Sequence, residues 1–162
     1  MTPLEAIRGA YELLPHRMNS PAATVLLLAI QLQEDPRQLQ RQVGGPARGL
    51  WQFEEAGGVA GVLKHHASRT WAHAVCLDLD VPSTTAGVMA ALERGDDRLD
   101  AAFARLLLWT DSQSLPTVGD VAGGWDCYLR TWRPGAAKRD YDNLRKKWSV
   151  NYAAALDIFR NG

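Results

Sequence analysis

Apolar positions along this chain recur with the period of a helix, and no segment alternates as a strand would. Thr2-Pro3-Leu4-Glu5 combines a capping box with proline at the first helical position, predicting a helix to about Leu14, before Pro15. Ser20-Pro21 opens a second helix in the same way. There Ala23, Leu27, Ile30 and Glu34 fall at spacings of four, three and four, with Val25, Leu28, Ala29 and Leu32 in an adjacent stripe. A helix apolar on most sides is central. Pro36 disfavours helix at Asp35, and Arg37 to Arg48, with Gly44-Gly45-Pro46, reads as a long loop, a kind of segment that usually carries function. Further helices are expected from Val59 to His66, Arg69 to Leu79, Ser83 to Glu93 and Asp97 to Trp109. Two more follow, carrying the stripes Val121, Trp125, Tyr128, Trp132 and Trp148, Tyr152, Ala155, Phe159. The expectation is an all-α fold in one domain, residues 1–162.

Composition narrows the function classes. At 162 residues and 46% hydrophobic, the chain can bury roughly two thirds of its unfolded surface in one core. Formal charge is zero and no nucleic-acid motif is present, so no nucleic-acid partner is expected. Cys76 and Cys127 lie in apolar helical patterns without Cys-x-x-Cys spacing, which reads as two buried thiols rather than a disulfide frame or zinc ribbon. The apolar run from Ala22 to Ile30 is too short to span a bilayer, and Met1-Thr2-Pro3-Leu4-Glu5 lacks the basic start of a signal peptide. Synthesis in the cytoplasm without a signal of its own is the corresponding expectation.

The chemistry concentrates at Glu34 and at Gly49-Leu50-Trp51-Gln52-Phe53-Glu54, which begins fifteen positions downstream. Glu34 continues the Ala23, Leu27, Ile30 stripe, so its carboxyl should point toward the core side, the alternative on spacing alone being a solvated carboxylate at the helix end. Desolvation, and the negative end of the helix dipole, would there keep a proton on a group that titrates near 4.3 when free. Asp35, rotated by about 100° along the helix, is the weaker acid candidate. Glycines at 45 and 49 permit a tight turn and close approach of a ligand to the main chain, and Gln52 can hydrogen-bond it.

Gly45-Pro46-Ala47-Arg48-Gly49-Leu50-Trp51-Gln52 resembles the Gly-Ala-Arg/Met-Gly-Leu-Met-Gln segment of soluble lytic transglycosylases and goose-type lysozymes, in the lysozyme-like superfamily. The resemblance covers about residues 21 to 63. It implies a lysozyme-like helical domain with a long active-site loop, acting as a peptidoglycan-cleaving glycosidase on the bond between N-acetylmuramic acid and N-acetylglucosamine. Glu34 would be general acid/base, with Gly49, Leu50, Trp51 and Gln52 lining the sugar site. Trp51 replaces the family's methionine, and its indole face suits either a pyranose ring or the core. Glu54 stands where goose-type lysozymes carry an aspartate, and would be the second carboxylate of a hydrolase; a transglycosylase needs only the glutamate and forms a 1,6-anhydro product. Glu34-Asp35 departs from the family's Glu-Ser pair.

The family's later tyrosine segments have no recognisable counterpart. Trp109-Thr110-Asp111 and Tyr128 to Pro134 are candidates for the missing wall, with Trp109 and Tyr128 as substrate contacts, although helical spacing also makes most of these aromatics core. His65-His66 and His73 lack the spacing of a ligand set, so no metal and no cofactor is expected. Seven basic residues between Arg130 and Lys147, including Lys138 and Arg139, read as a solvated face or as attraction to an anionic polymer. The implied partner is the peptidoglycan glycan strand, and the implied origin a phage or prophage, with holin-dependent or virion delivery to the periplasm or cell wall. The alternative is a non-catalytic virion or prophage protein that keeps the scaffold and grips glycan; a chitinase-like activity ranks third.

Overall fold

The computed structural model describes residues 1–134 and 140–162. Among them it contains eight α-helices and no strand longer than an isolated bridge: α1 (Pro3–Leu13), α2 (Pro21–Glu34), α3 (Ala60–Lys64), α4 (Arg69–Asp78), α5 (Thr85–Glu93), α6 (Asp97–Trp109), α7 (Val121–Trp132) and α8 (Tyr141–Asn161). Local chemistry explains most of the boundaries. At α1, the Thr2 hydroxyl accepts from the Glu5 N–H while Glu5 reaches back to the Thr2 N–H at 2.7 Å. Ser20, Thr84, Asp96, Asp120 and Asp140 cap α2, α5, α6, α7 and α8 by accepting from a backbone N–H three residues on.

The helix expected from Val59 is preceded by something periodicity does not encode, a π-type turn over Glu55–Val59 in which Gly57 departs from helical angles (φ −97°, ψ −108°). α3 accordingly starts at Ala60 and ends at Lys64, two residues before His66.

α2 is central, as its apolar pattern requires: every residue from Ala23 to Gln31 is buried. It packs along α8, while α1 packs along α6, and one hydrophobic cluster draws residues from all eight helices. Burying side chains of this kind contributes about 1.5–3 kcal/mol each before the entropy of ordering them. The aromatic stripes of α7 and α8 interlock: Tyr128 stacks on Trp148 with ring centroids 5.2 Å apart, and Trp125 and Tyr152 flank Trp148 at 6.0 and 6.1 Å. The polar tips are satisfied at the same time, with Trp148 Nε1 donating to the Val121 carbonyl at 3.0 Å and Tyr152 Oη accepting from Gly119 N at 2.9 Å. Gln33 on α2 donates to the Leu144 carbonyl and accepts from Asn151, tying the C-terminal half of α2 to α8. Among the described residues no helix is long and apolar enough to cross a membrane.

Candidate functional site

α2 ends at Glu34, and Asp35 takes over as its C-cap, with φ −141° and ψ 64°. The Asp35 side chain is buried, and its two oxygens accept from Leu39 N and Gln40 N, both at 2.9 Å. Asp35 therefore serves the loop: it fixes the first turn after the helix. This gives a structural reason for the Glu34-Asp35 pair, and it removes Asp35 from the acid candidates.

From that turn the chain runs through 41–48 and into Gly49–Gln52. Arg48 and Phe53 exchange backbone hydrogen bonds at 2.9 and 2.8 Å, Gly49 N donates to the Gln40 carbonyl at 2.9 Å, and Gln52 N closes the turn onto the Gly49 carbonyl at 3.2 Å. Gly49 sits at φ +84°, where a Cβ would lie 2.4 Å from Asp100 Oδ2. Asp100 is a fully buried carboxylate on α6, and its Oδ2 accepts from Leu50 N at 2.6 Å. Burial pushes its carboxyl well above the usual range, against the Leu50 hydrogen bond, and Asp97 and Asp35 add to the rise. This anchor of the turn is absent from the sequence-level expectation. The available signal was an aspartate in the apolar run Leu99 to Leu108 of α6.

The turn distributes its side chains between core and groove. Trp51 is fully buried, with Nε1 donating to the Leu27 carbonyl of α2 at 2.9 Å. The expectation that its indole lines a sugar site is corrected: it is core, as are Leu50, 1% exposed, and buried Gly49, which shape the turn from behind. Gln52 does face the groove, in the left-handed region at φ 56°, with Nε2 donating to the Gly49 carbonyl at 2.8 Å. A non-glycine residue held there is a local strain of the kind that clusters at functional sites.

The groove encloses about 880 Å³ and is bordered by Glu34, by Gln52 to Glu54, by the π-type turn, and by two later segments, Thr110 to Ser112 and Arg130 to Pro134. Glu34 is half-buried and accepts a hydrogen bond from the Tyr128 hydroxyl. Tyr128 is itself 2% exposed and clamped by Trp148, so a ring fixed in the core delivers one hydroxyl to the end of α2. Its place is against Glu34 rather than along the groove. Glu54 is exposed and borders the same groove, which brings both candidate carboxylates to one cavity.

Trp109 is also corrected. It borders no part of the groove and instead lies under the Arg17 and Arg105 guanidinium groups, 5.6 and 5.4 Å from its ring centre. Trp132 borders the groove instead, alongside Phe53: its Nε1 donates to the Trp51 carbonyl at 2.9 Å and its ring meets Phe53 at 6.1 Å.

Asp111 and Arg130 form an ion pair at 2.9 Å in the groove wall. Burial raises the Asp111 carboxyl, but the hydrogen bond and charge of Arg130 outweigh it, and the net effect is a lowered value. Behind them, burial and the Asp111 charge push the Cys127 thiol up to about 12, so both cysteines are inert buried thiols, Cys76 being raised by burial too. His65 borders the groove with Nδ1 accepting from Ala67 N at 3.0 Å, and stacks on His66. No group of three or more His, Cys, Asp and Glu able to hold a metal ion occurs among the described residues. Of the basic run, Arg130 and Arg133 reach the groove, Lys146 and Lys147 are exposed on α8, and Lys138 and Arg139 lie outside the described residues. No family model matches the chain, and no curated protein or solved structure was found to be similar to it.

Proposed function

We propose that this protein is a lysozyme-like glycosidase that cuts peptidoglycan glycan strands, with Glu34 as general acid/base. The observation that carries the proposal is the contact between Glu34 and Tyr128 at the border of a groove that the turn at 49–52 also borders. A tyrosine hydroxyl donates to a carboxylate and accepts from a carboxylic acid, so one fixed partner serves Glu34 in both protonation states of the reaction. Glu34 gives its proton to the leaving glycosidic oxygen as the bond from that oxygen to C1 breaks. The resulting carboxylate then takes the proton of the sugar 6-hydroxyl as O6 bonds to C1, which closes a 1,6-anhydro ring and returns Glu34 to its starting state. Gln52 and the ring of Trp132 are the polar and apolar surfaces available to the sugars.

Glu54 borders the same groove and supports a second course, in which it activates a water on the opposite face of the ring and the product is a reducing sugar. Purified protein incubated with peptidoglycan sacculi separates the two by product mass. Anhydromuropeptides are expected, reducing-end muropeptides would assign the Glu54 course, and intact sacculi with a folded protein would leave a glycan-gripping scaffold in place of an enzyme.

A further inference from the structure

The segment that closes the groove, Arg130 to Pro134, carries charge that the Glu34 chemistry does not use. Arg130 stands in the last turn of α7 and presents its guanidinium side-on to Asp111. Nη2 reaches Oδ2 at 2.9 Å, and Nε reaches both carboxylate oxygens at 3.3 Å. The Asp111 side chain is only 7% exposed, against 34% for Arg130, so a fixed buried anion orients the plane of a cation that borders open space. Nη1 takes no part in the pair. Three residues on, Arg133 forms the C-cap of α7 in the left-handed region (φ 47°, ψ 58°), with Nε donating to the Arg130 carbonyl at 3.4 Å. It is exposed and borders the same groove, so among the groove-lining residues of this end two guanidinium groups stand against the one carboxylate of Asp111, while exposed Asp126, whose charge also acts on Arg130, lies off the groove lining. Exposed Glu54 supplies the opposite sign elsewhere along the groove.

We propose that Arg130 and Arg133 form an anion subsite that takes a carboxylate carried by the glycan strand, so that the groove prefers strands whose muramic lactyl group is a free carboxylate both to strands in which it is amide-linked and to neutral N-acetylglucosamine polymers. This rests on the glycan function proposed above. Guanidinium is suited to the task because its planar donors match a carboxylate, and an orientation already set by Asp111 lowers the ordering cost of binding. The same polarity sets the direction of the strand, since an acidic substituent is attracted to the α7 end and repelled from Glu54.

The test is binding to the Glu34→Gln protein, which removes turnover from the measurement. Three probes of equal length are titrated: peptide-free glycan strands retaining the lactyl carboxylate, the same strands with that carboxylate amidated, and chitooligosaccharide. The carboxylate strand is expected to bind about tenfold or more tightly than either neutral probe at low salt, an advantage that shrinks with added salt. It should also shrink in Arg133→Gln and in the double variant Arg130→Gln/Asp111→Asn, which leaves no unpaired buried charge; circular dichroism checks that both are folded. Equal binding of the carboxylate and amidated strands, or a preference that survives both substitutions, overturns the subsite. Failure of all three probes to bind is a different result, and overturns the glycan function together with it.

Discussion

Replacing Gly49 with alanine should be among the most damaging single-methyl changes in this chain, for two separable reasons. Alanine at φ +84° costs about 1–2 kcal/mol in left-handed backbone strain. Its methyl would also stand 2.4 Å from Asp100 Oδ2 and 2.8 Å from Cγ, forcing away the carboxylate that accepts from Leu50 N at 2.6 Å. Leaving that buried N–H unpaired costs about 1–3 kcal/mol. The sum, about 2–5 kcal/mol, corresponds to a fall in melting temperature of about 4–20 °C for a chain of this size. A double-mutant cycle in urea separates the two contributions. In an Asp100→Ala background the methyl meets no carboxylate, so Gly49→Ala should cost only the strain, leaving a coupling of about 1–3 kcal/mol. Costs that add within about 0.5 kcal/mol would refute the account of the turn, as would a Gly49→Ala cost below about 1 kcal/mol.

Tyr128→Phe keeps the ring on Trp148 and removes only the hydroxyl on Glu34, so turnover should fall and its pH profile move while the melting temperature changes little; an unchanged profile would separate Tyr128 from the reaction. Asp100, raised by burial, gives its full stability contribution below the unfolded value near 3.9 and loses it as pH rises through the folded one. Wild type should therefore lose stability relative to Asp100→Asn as pH is raised above about 4. Asp111 runs the other way: its contribution is present above about 3.9 and lost as pH falls through its lowered value, so the margin over Asp111→Asn should shrink in acid. With Cys127 pushed up to about 12 and Cys76 raised by burial, a thiol reagent at neutral pH should label neither in the native protein and both after denaturation.

Local signals made much of the fold legible. Ser20-Pro21 and Pro36 bracket α2, and the structure ends that helix on Glu34, while α6 spans Asp97 to Trp109 as the pattern predicts. The π-type turn at 55–59 was not legible because it depends on the unusual angles of one glycine rather than on apolar spacing. At the site, Gln52 and Glu54 could be placed from the motif, since their bonds are local. The indoles could not be sorted. Trp51 and Trp132 offer the same chemistry, and only the Leu27 carbonyl, twenty-four residues before Trp51, holds the first in the core while the second borders the groove. Tyr128 could be suspected from the sequence, but its role as partner of Glu34 spans ninety-four residues and depends on Trp148 holding its ring. Asp100 illustrates the same limit, because a carboxylate on an apolar helix face announces a buried partner without naming Leu50.

The most direct measurement is the rate of muropeptide release from sacculi by wild type and by Glu34→Gln, with both proteins shown to be folded by circular dichroism. Glu34→Gln keeps the size of the side chain and an oxygen for the Tyr128 hydroxyl but carries no proton to transfer. Loss of the acid should lower the rate about 10²–10⁴-fold or more, with anhydromuropeptides as the wild-type product. Turnover by Glu34→Gln within a few-fold of wild type would contradict the assignment of the acid, and intact sacculi after prolonged incubation with folded wild type would contradict the activity itself.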